Sequence, residues 1–162
     1  MANALRSTLG IISAIAFSTL GTAAPATAQS DLSVLAGSWS GGGQIRLADG
    51  RSERLSCRAS YNQRDGGSGL GLSIRCASQS YKIELRSSLK LAGGRVNGSW
   101  EERSFNAGGS VTGSSASGLL RLAFSGTMDG SLSVSYGGSS QQVSIKTSGG
   151  ELSAISLSLK RV

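Results

Sequence analysis

Apolar and polar positions alternate along the chain in short runs separated by glycine-rich turns. Leu55, Cys57, Ala59 and Tyr61 hold alternate positions before Asp65-Gly66-Gly67-Ser68-Gly69; Leu70, Leu72, Ile74 and Cys76 do so after it. Successive side chains of a strand point to opposite faces, so each set lines one face. Folding the segment about its glycines sets Cys57 opposite Cys76, Ala59 opposite Ile74 and Tyr61 opposite Leu72. Directly opposed residues of an antiparallel pair come close enough for a disulfide. Hydrophobic pattern and cysteine placement select the same register, and a one-residue slip would spoil both. Two free buried cysteines or a redox dithiol are the alternatives, and no C-x-x-C spacing supports the second. The same register puts Arg58 opposite Arg75 on the outer face, where like charges repel unless an anion bridges them.

The other turns predict further hairpins. A loop at Asp49-Gly50-Arg51 would put Trp39 opposite Tyr61, Gly43 opposite Cys57 and Ile45 opposite Leu55. A tight turn at Ser78-Gln79 would put Cys76 opposite Tyr81, Ile74 opposite Ile83 and Leu72 opposite Leu85. Gly93-Gly94 is a strong two-residue hairpin turn. It pairs Leu91 with Val96 and Leu89 with Gly98 inside, and Glu84 with Arg103 and Arg86 with Glu101 outside. Ser117-Gly118 pairs Leu120 with Ser115 and Phe124 with Val111. Asp129-Gly130-Ser131 would pair Met128 with Leu132 and Phe124 with Tyr136. Val143, Ile145, Ile155, Leu157 and Leu159 supply the last inner faces around Gly149-Gly150. About ten antiparallel strands result, with no crossover long enough for a parallel connection. An even-stranded meander can close on itself and remove its edges. The glycines inside strands (Gly41, Gly43, Gly98, Gly113) suit sharp bends or leave room for a large neighbour. The expected fold is all-β, an antiparallel up-and-down barrel, with a two-sheet sandwich as the alternative.

Residues 1–28 read differently. Arg6, the mostly apolar run Leu9 to Leu20 and Ala26-Thr27-Ala28 form a secretory signal peptide with an A-x-A cleavage site. Residues 29–162 are then one domain, periplasmic or secreted, in an oxidising compartment that favours the disulfide. Serine (33) and glycine (24) make up over a third of the 162 residues, yet period two between the serines argues for strands rather than disorder. Sixteen basic and nine acidic residues give a formal net charge of +7.

Gly37-Ser38-Trp39 at the start of the first strand and Lys160-Arg161 at the end of the last resemble the lipocalin-type (calycin) signature. The resemblance implies that Trp39 plugs one end of the barrel and Arg161 packs on it. Length and strand count are similar to the fatty-acid-binding and nitrobindin-like ten-strand members. The chain departs from both: no helical lid follows the first strand, and no histidine exists to hold a haem. Trp39-Ser40-Gly41-Gly42-Gly43, Cys57-Arg58-Ala59-Ser60-Tyr61 and Leu72-Ser73-Ile74-Arg75-Cys76-Ala77-Ser78 resemble a family of exported bacterial proteins of unknown function. That resemblance implies no activity.

The candidate chemistry is sparse. With no histidine and no free cysteine expected, the usual base–nucleophile sets are missing, so the chain reads as a non-enzyme. Nine scattered acids offer no metal site, and no cofactor is expected. Tyr61, Tyr81, Trp100, Glu102, Phe124 and Tyr136 fall on inner positions and are candidate lumen contacts for a ligand. Glu102 is the one acid among them, opposite Leu85. Arg46, Arg54, Arg58 and Arg75 share the outer face of the first three strands and form a candidate anion patch for an acidic envelope component. Outer aromatics for base stacking are absent, which argues against nucleic acid. Outer positions of Arg, Lys, Glu, Ser and Gln argue against a membrane-spanning barrel. The expected function is that of an exported, non-enzymatic, monomeric barrel that binds a small, partly apolar ligand in its lumen. The alternative is a surface interaction protein, either an envelope or polysaccharide-binding module or a protease inhibitor acting through the Ser30-Asp31-Leu32-Ser33 leader.

Overall fold

The computed structural model describes residues 32–162. The signal peptide read at residues 1–28 lies outside them. A 3-10 turn (Leu32–Leu35) leads into ten strands. They are β1 Gly37–Leu47, β2 Ser52–Arg64, β3 Gly69–Ala77, β4 Lys82–Ala92, β5 Arg95–Glu102, β6 Ala107–Ala116, β7 Leu119–Gly126, β8 Asp129–Gly137, β9 Ser140–Ser148 and β10 Leu152–Arg161. Each pairs antiparallel with its sequence neighbours, and β1 pairs with β10, so the sheet closes into an up-and-down barrel. The sandwich alternative falls away. Closure leaves no strand edge open among the ten.

The central hairpin has the expected register, with Cys57 opposite Cys76, Ala59 opposite Ile74 and Tyr61 opposite Leu72. Cys57 and Cys76 are joined by a disulfide across a Cα–Cα distance of 4.1 Å. The hairpins at Gly93-Gly94 and Ser117-Gly118 also match residue for residue. Both turns use left-handed backbone: Gly93 φ +55°, Gly94 φ +78°, Ser117 φ +49° and Gly118 φ +74°.

Three registers differ from expectation. Trp39 faces Ala59 rather than Tyr61, Gly43 faces Leu55, and Ile45 faces Glu53. The loop is Ala48-Asp49-Gly50, with Gly50 at φ +88° and the Leu47 amide donating to Arg51 O at 2.9 Å. Cys76 faces Ile83 rather than Tyr81, Ile74 faces Leu85, and Leu72 faces Ser87. The β3–β4 turn takes in Ser78 to Tyr81, held by Ser78 N donating to Tyr81 O at 2.9 Å. Leu132 faces Leu122 rather than Met128, and Phe124 faces Gly130 rather than Tyr136. That turn lies at Thr127-Met128, and Gly130 is already in the strand. The first two shifts are two residues and the third is an even number, so every side chain keeps its face.

The strand glycines let backbones approach across the sheet. A Cβ on Gly43 would lie 1.8 Å from Ser156 O and 2.9 Å from Leu157 Cα; one on Gly41 would lie 2.1 Å from Ser158 O. These contacts are with backbone at the β1–β10 seam and cannot swing away. Gly43→Ala is therefore expected to lose about 2 kcal/mol or more through strain at the seam. Gly137→Ala, with open space at its Cβ, should change stability by less than about 0.5 kcal/mol. Urea denaturation midpoints of the two variants check this.

Candidate functional site

The barrel interior is sealed at one end and open at the other. At the sealed end Leu32 and Leu35 of the 3-10 turn are buried beneath Trp39, which is 1% exposed. The Trp39 indole N–H donates to Leu35 O at 2.8 Å. The Arg161 guanidinium carbon lies 4.4 Å from the Trp39 ring centroid. Its Nη1 donates to Ala36 O at 2.5 Å and its Nη2 to Val34 O. One arginine thus ties the last strand to the segment before the first. Gly37 is required here: its φ is +120°, and a Cβ would lie 2.7 Å from Arg161 Nη1. The buried Leu32 makes the described part of the leader a component of the plug, not a projecting inhibitory segment.

Polar groups sit just above the plug. Tyr61 packs edge-on to Trp39, centroids 6.4 Å apart, and its hydroxyl donates to Gln141 Oε1 at 2.7 Å. Burial pushes the Tyr61 phenol above its ordinary pKa, and the Gln141 hydrogen bond offsets part of that rise. Tyr136 is buried beside Ser115, hydroxyls 3.2 Å apart. It does not border the cavity, which removes it from the candidate ligand contacts. Gln141 and Ser115 were missed in the sequence; Gln141 interrupts the inward run Val143, Ile145 and was legible as a polar residue on an apolar face.

From Tyr61 upward the lumen is a cavity of about 270 Å³. Tyr61, Tyr81, Trp100, Glu102 and Phe124 all border it. Leu72, Leu85, Leu132 and Ile145 face inward yet are only half-buried, because they border this space. Trp100 and Phe124 form a T-shaped pair on the wall, centroids 5.5 Å apart. Phe124 lies over Gly130, whose Cβ would come 2.4 Å from Phe124 Cζ.

The mouth carries the polar groups. The Tyr81 hydroxyl donates to Glu151 Oε1 at 2.5 Å, joining the β3–β4 and β9–β10 turns. This bond raises the Tyr81 pKa, since ionising the phenol would remove the donor. Glu53 accepts from Ser78 Oγ at 2.7 Å and Ser80 N at 3.0 Å, which holds its carboxyl below the ordinary range. Glu102 does point inward opposite Leu85. Its two oxygens, however, accept from the backbone amides of Glu84 and Phe105, each at 2.6 Å. It pins the β5–β6 turn, and each of its oxygens already accepts one backbone hydrogen bond. Phe105, 58% exposed, stands at the mouth.

On the outside, Arg46, Arg54, Arg58 and Arg75 are all exposed on β1 to β3. Arg58 and Arg75 are cross-strand neighbours. Arg75 is ion-paired, its Nε 3.4 Å from Glu84 Oε1; the expected Glu84–Arg103 and Arg86–Glu101 neighbours do not form ion pairs among the described residues. Among the described residues no group of three His, Cys, Asp or Glu could hold a metal, and no helix is long and apolar enough to cross a membrane.

No family model matches the chain, and no curated protein matches it in sequence. The resemblance to a family of exported bacterial proteins therefore gains no support. Solved structures match in fold. A protein of Mycobacterium tuberculosis, Rv2717c, is 16% identical, with a TM-score of 0.59 over 81% of this chain and 94% of that one. The S-type phycobiliprotein lyase CPES of Guillardia theta is also 16% identical, with a TM-score of 0.54 over 80% of this chain and 89% of that one. The likeness is one of fold, and it spans about four-fifths of this chain, whose own sheet is a closed ten-strand barrel. The second likeness overturns the exclusion of enzymes drawn from composition, since a phycobiliprotein lyase is built on a similar fold. Missing histidine and thiol rule out particular catalytic sets, whereas function resides in sites that one fold can vary freely.

Proposed function

We propose that the barrel is an exported binding protein that takes a small, predominantly apolar ligand into its lumen past Tyr81 and Phe105. The observation that carries this reading is the cavity of about 270 Å³, walled by leucine, isoleucine, tryptophan and phenylalanine and sealed by Trp39. An apolar enclosure with few placed polar groups is the common form of a small-molecule site. The polar atoms nearest it are mostly committed to the protein: Glu102 to two amides, Tyr81 to Glu151, Tyr61 to Gln141. A charged group in the depth of the lumen would lose its hydration with little in return, which favours a neutral body. The signal-like segment at residues 1–28 supports export, and a disulfide-bonded barrel fits an extracytoplasmic location.

Titration with the neutral fluorophore N-phenyl-1-naphthylamine tests the proposal. Saturable one-to-one enhancement is expected, with quenching of Trp100. Ser87 borders the cavity opposite Trp100, so Ser87→Phe should fill the site and weaken binding about tenfold or more. Enhancement that survives Ser87→Phe unchanged would show that the probe binds elsewhere.

A further inference from the structure

One face of the outer surface carries cations with no acids among them. In cross-strand rows, Lys146 of β9, Ala154 of β10, Arg46 of β1 and Ser52 of β2 stand side by side. Lys160, Ser40, Arg58 and Arg75 form a second row toward the sealed end. Arg54 lies between the rows, opposite Gln44. Lys146, Arg46, Arg54, Arg58 and Lys160 are all exposed, and none has a carboxylate within ion-pair distance among the described residues. No acidic residue occupies an outward position of β9, β10, β1 or β2. Asp49, Glu53 and Glu151 lie at the rim and are bound to Arg51, to Ser78 and Ser80, and to Tyr81. Arg75 belongs to the margin, neutralised by Glu84.

Between the rows runs a low polar band. Gln142, Ser158, Gly42 and Ser56 stand in line across the four strands. The Gln142 amide donates to Ser158 Oγ at 3.0 Å. Gly42 keeps the band flat, since a Cβ there would lie 2.4 Å from Leu55 O. Arg54 and Arg58 are four residues apart on β2, about 13 Å along the strand. Cations at that spacing about a strip of hydroxyls and amides match an extended chain that alternates anionic and hydroxyl groups. We propose that the outer face of β9, β10, β1 and β2 binds an acidic polysaccharide, with Lys146, Arg46, Arg54, Arg58 and Lys160 on its carboxylates or sulfates. The face lacks aromatics on which bases could stack and apolar residues that would enter a bilayer between the cations. A glycan needs neither.

Retention on immobilised polygalacturonate, with neutral dextran as control, tests this face. The protein is expected to bind polygalacturonate but not dextran, with binding that fades as salt rises. Arg54→Glu/Arg58→Glu should weaken it about tenfold or more, because the reversed charges sit in the site. Arg95→Glu/Arg121→Glu carries the same net-charge change on exposed positions flanking Ser114, on the far side of the barrel. It should weaken binding less than about threefold. Lys146→Gln/Lys160→Gln provides a milder neutralisation, and near-UV circular dichroism verifies the fold of each variant. Equal losses from the two reversals would reduce the effect to net charge and overturn the proposal. So would absence of wild-type binding, or tighter binding to anionic phosphatidylglycerol vesicles or a DNA duplex than to the polysaccharide.

Discussion

Trp39→Ala is expected to cost about 4 kcal/mol of stability, the upper range for deleting a fully buried aromatic side chain. Three losses coincide. The indole packs between Leu35 and Tyr61, its N–H satisfies Leu35 O, and its face carries the Arg161 guanidinium. Removing the ring leaves a void that the closed sheet can collapse into only partly. It also frees Arg161, so the 3-10 turn loses its link to β10. For a domain of this size the melting temperature should fall by about 10–15 °C. Leu85→Ala is the contrast. Leu85 is half-buried against a space that already exists, so its truncation enlarges a cavity rather than creating one and should cost about 1 kcal/mol. Thermal and urea unfolding of both variants check the difference. Comparable losses would mean that the two ends of the barrel are equally packed.

The disulfide is expected to contribute about 3 kcal/mol, from the entropy that a cross-link spanning 19 residues removes from the unfolded chain. Cys57→Ala/Cys76→Ala should therefore lower the melting temperature by about 10 °C. Both cysteines are buried on the inner faces of β2 and β3, so alanine also gives up some packing. The strand register should survive, because Ala59–Ile74 and Tyr61–Leu72 pair independently of the sulfurs. Reduction by thiols in the unfolded state, with protection in the folded state, checks that the bond is sealed inside.

Much of the barrel was legible because period two is a strong signal and an even slip leaves it intact. The same fact explains the errors. A shift of two residues keeps every leucine inside, so hydrophobicity alone cannot choose between registers. Charge could have chosen. The expected Ser78-Gln79 turn set Arg75 opposite Lys82, whereas the true turn sets it opposite Glu84. The expected Asp49 loop set Arg46 opposite Arg54, whereas the true one sets Arg54 opposite Gln44. At β7–β8 the Asp129-Gly130 pair resembles a turn by composition. Gly130 is instead a strand residue that makes room for Phe124, and the true register joins Leu122 with Leu132 and Leu120 with Val134. At the site, parity identified Tyr61, Tyr81, Trp100, Glu102 and Phe124 as inward residues. It could not show that Tyr136 lies below the cavity, or that Glu102 holds two backbone amides. Those depend on position along the barrel axis and on turn geometry, which alternation does not encode.

The central claim is an accessible apolar lumen, open at the Tyr81–Phe105 mouth and sealed at Trp39. The chain has two tryptophans, and they report on the two ends: Trp100 on the cavity wall, Trp39 in the plug. Their indole N–H resonances can be followed by NMR as N-phenyl-1-naphthylamine is added. The account predicts that the Trp100 signal shifts saturably while the Trp39 signal stays in place. A Trp100 signal that stays fixed through saturation with the probe would contradict it.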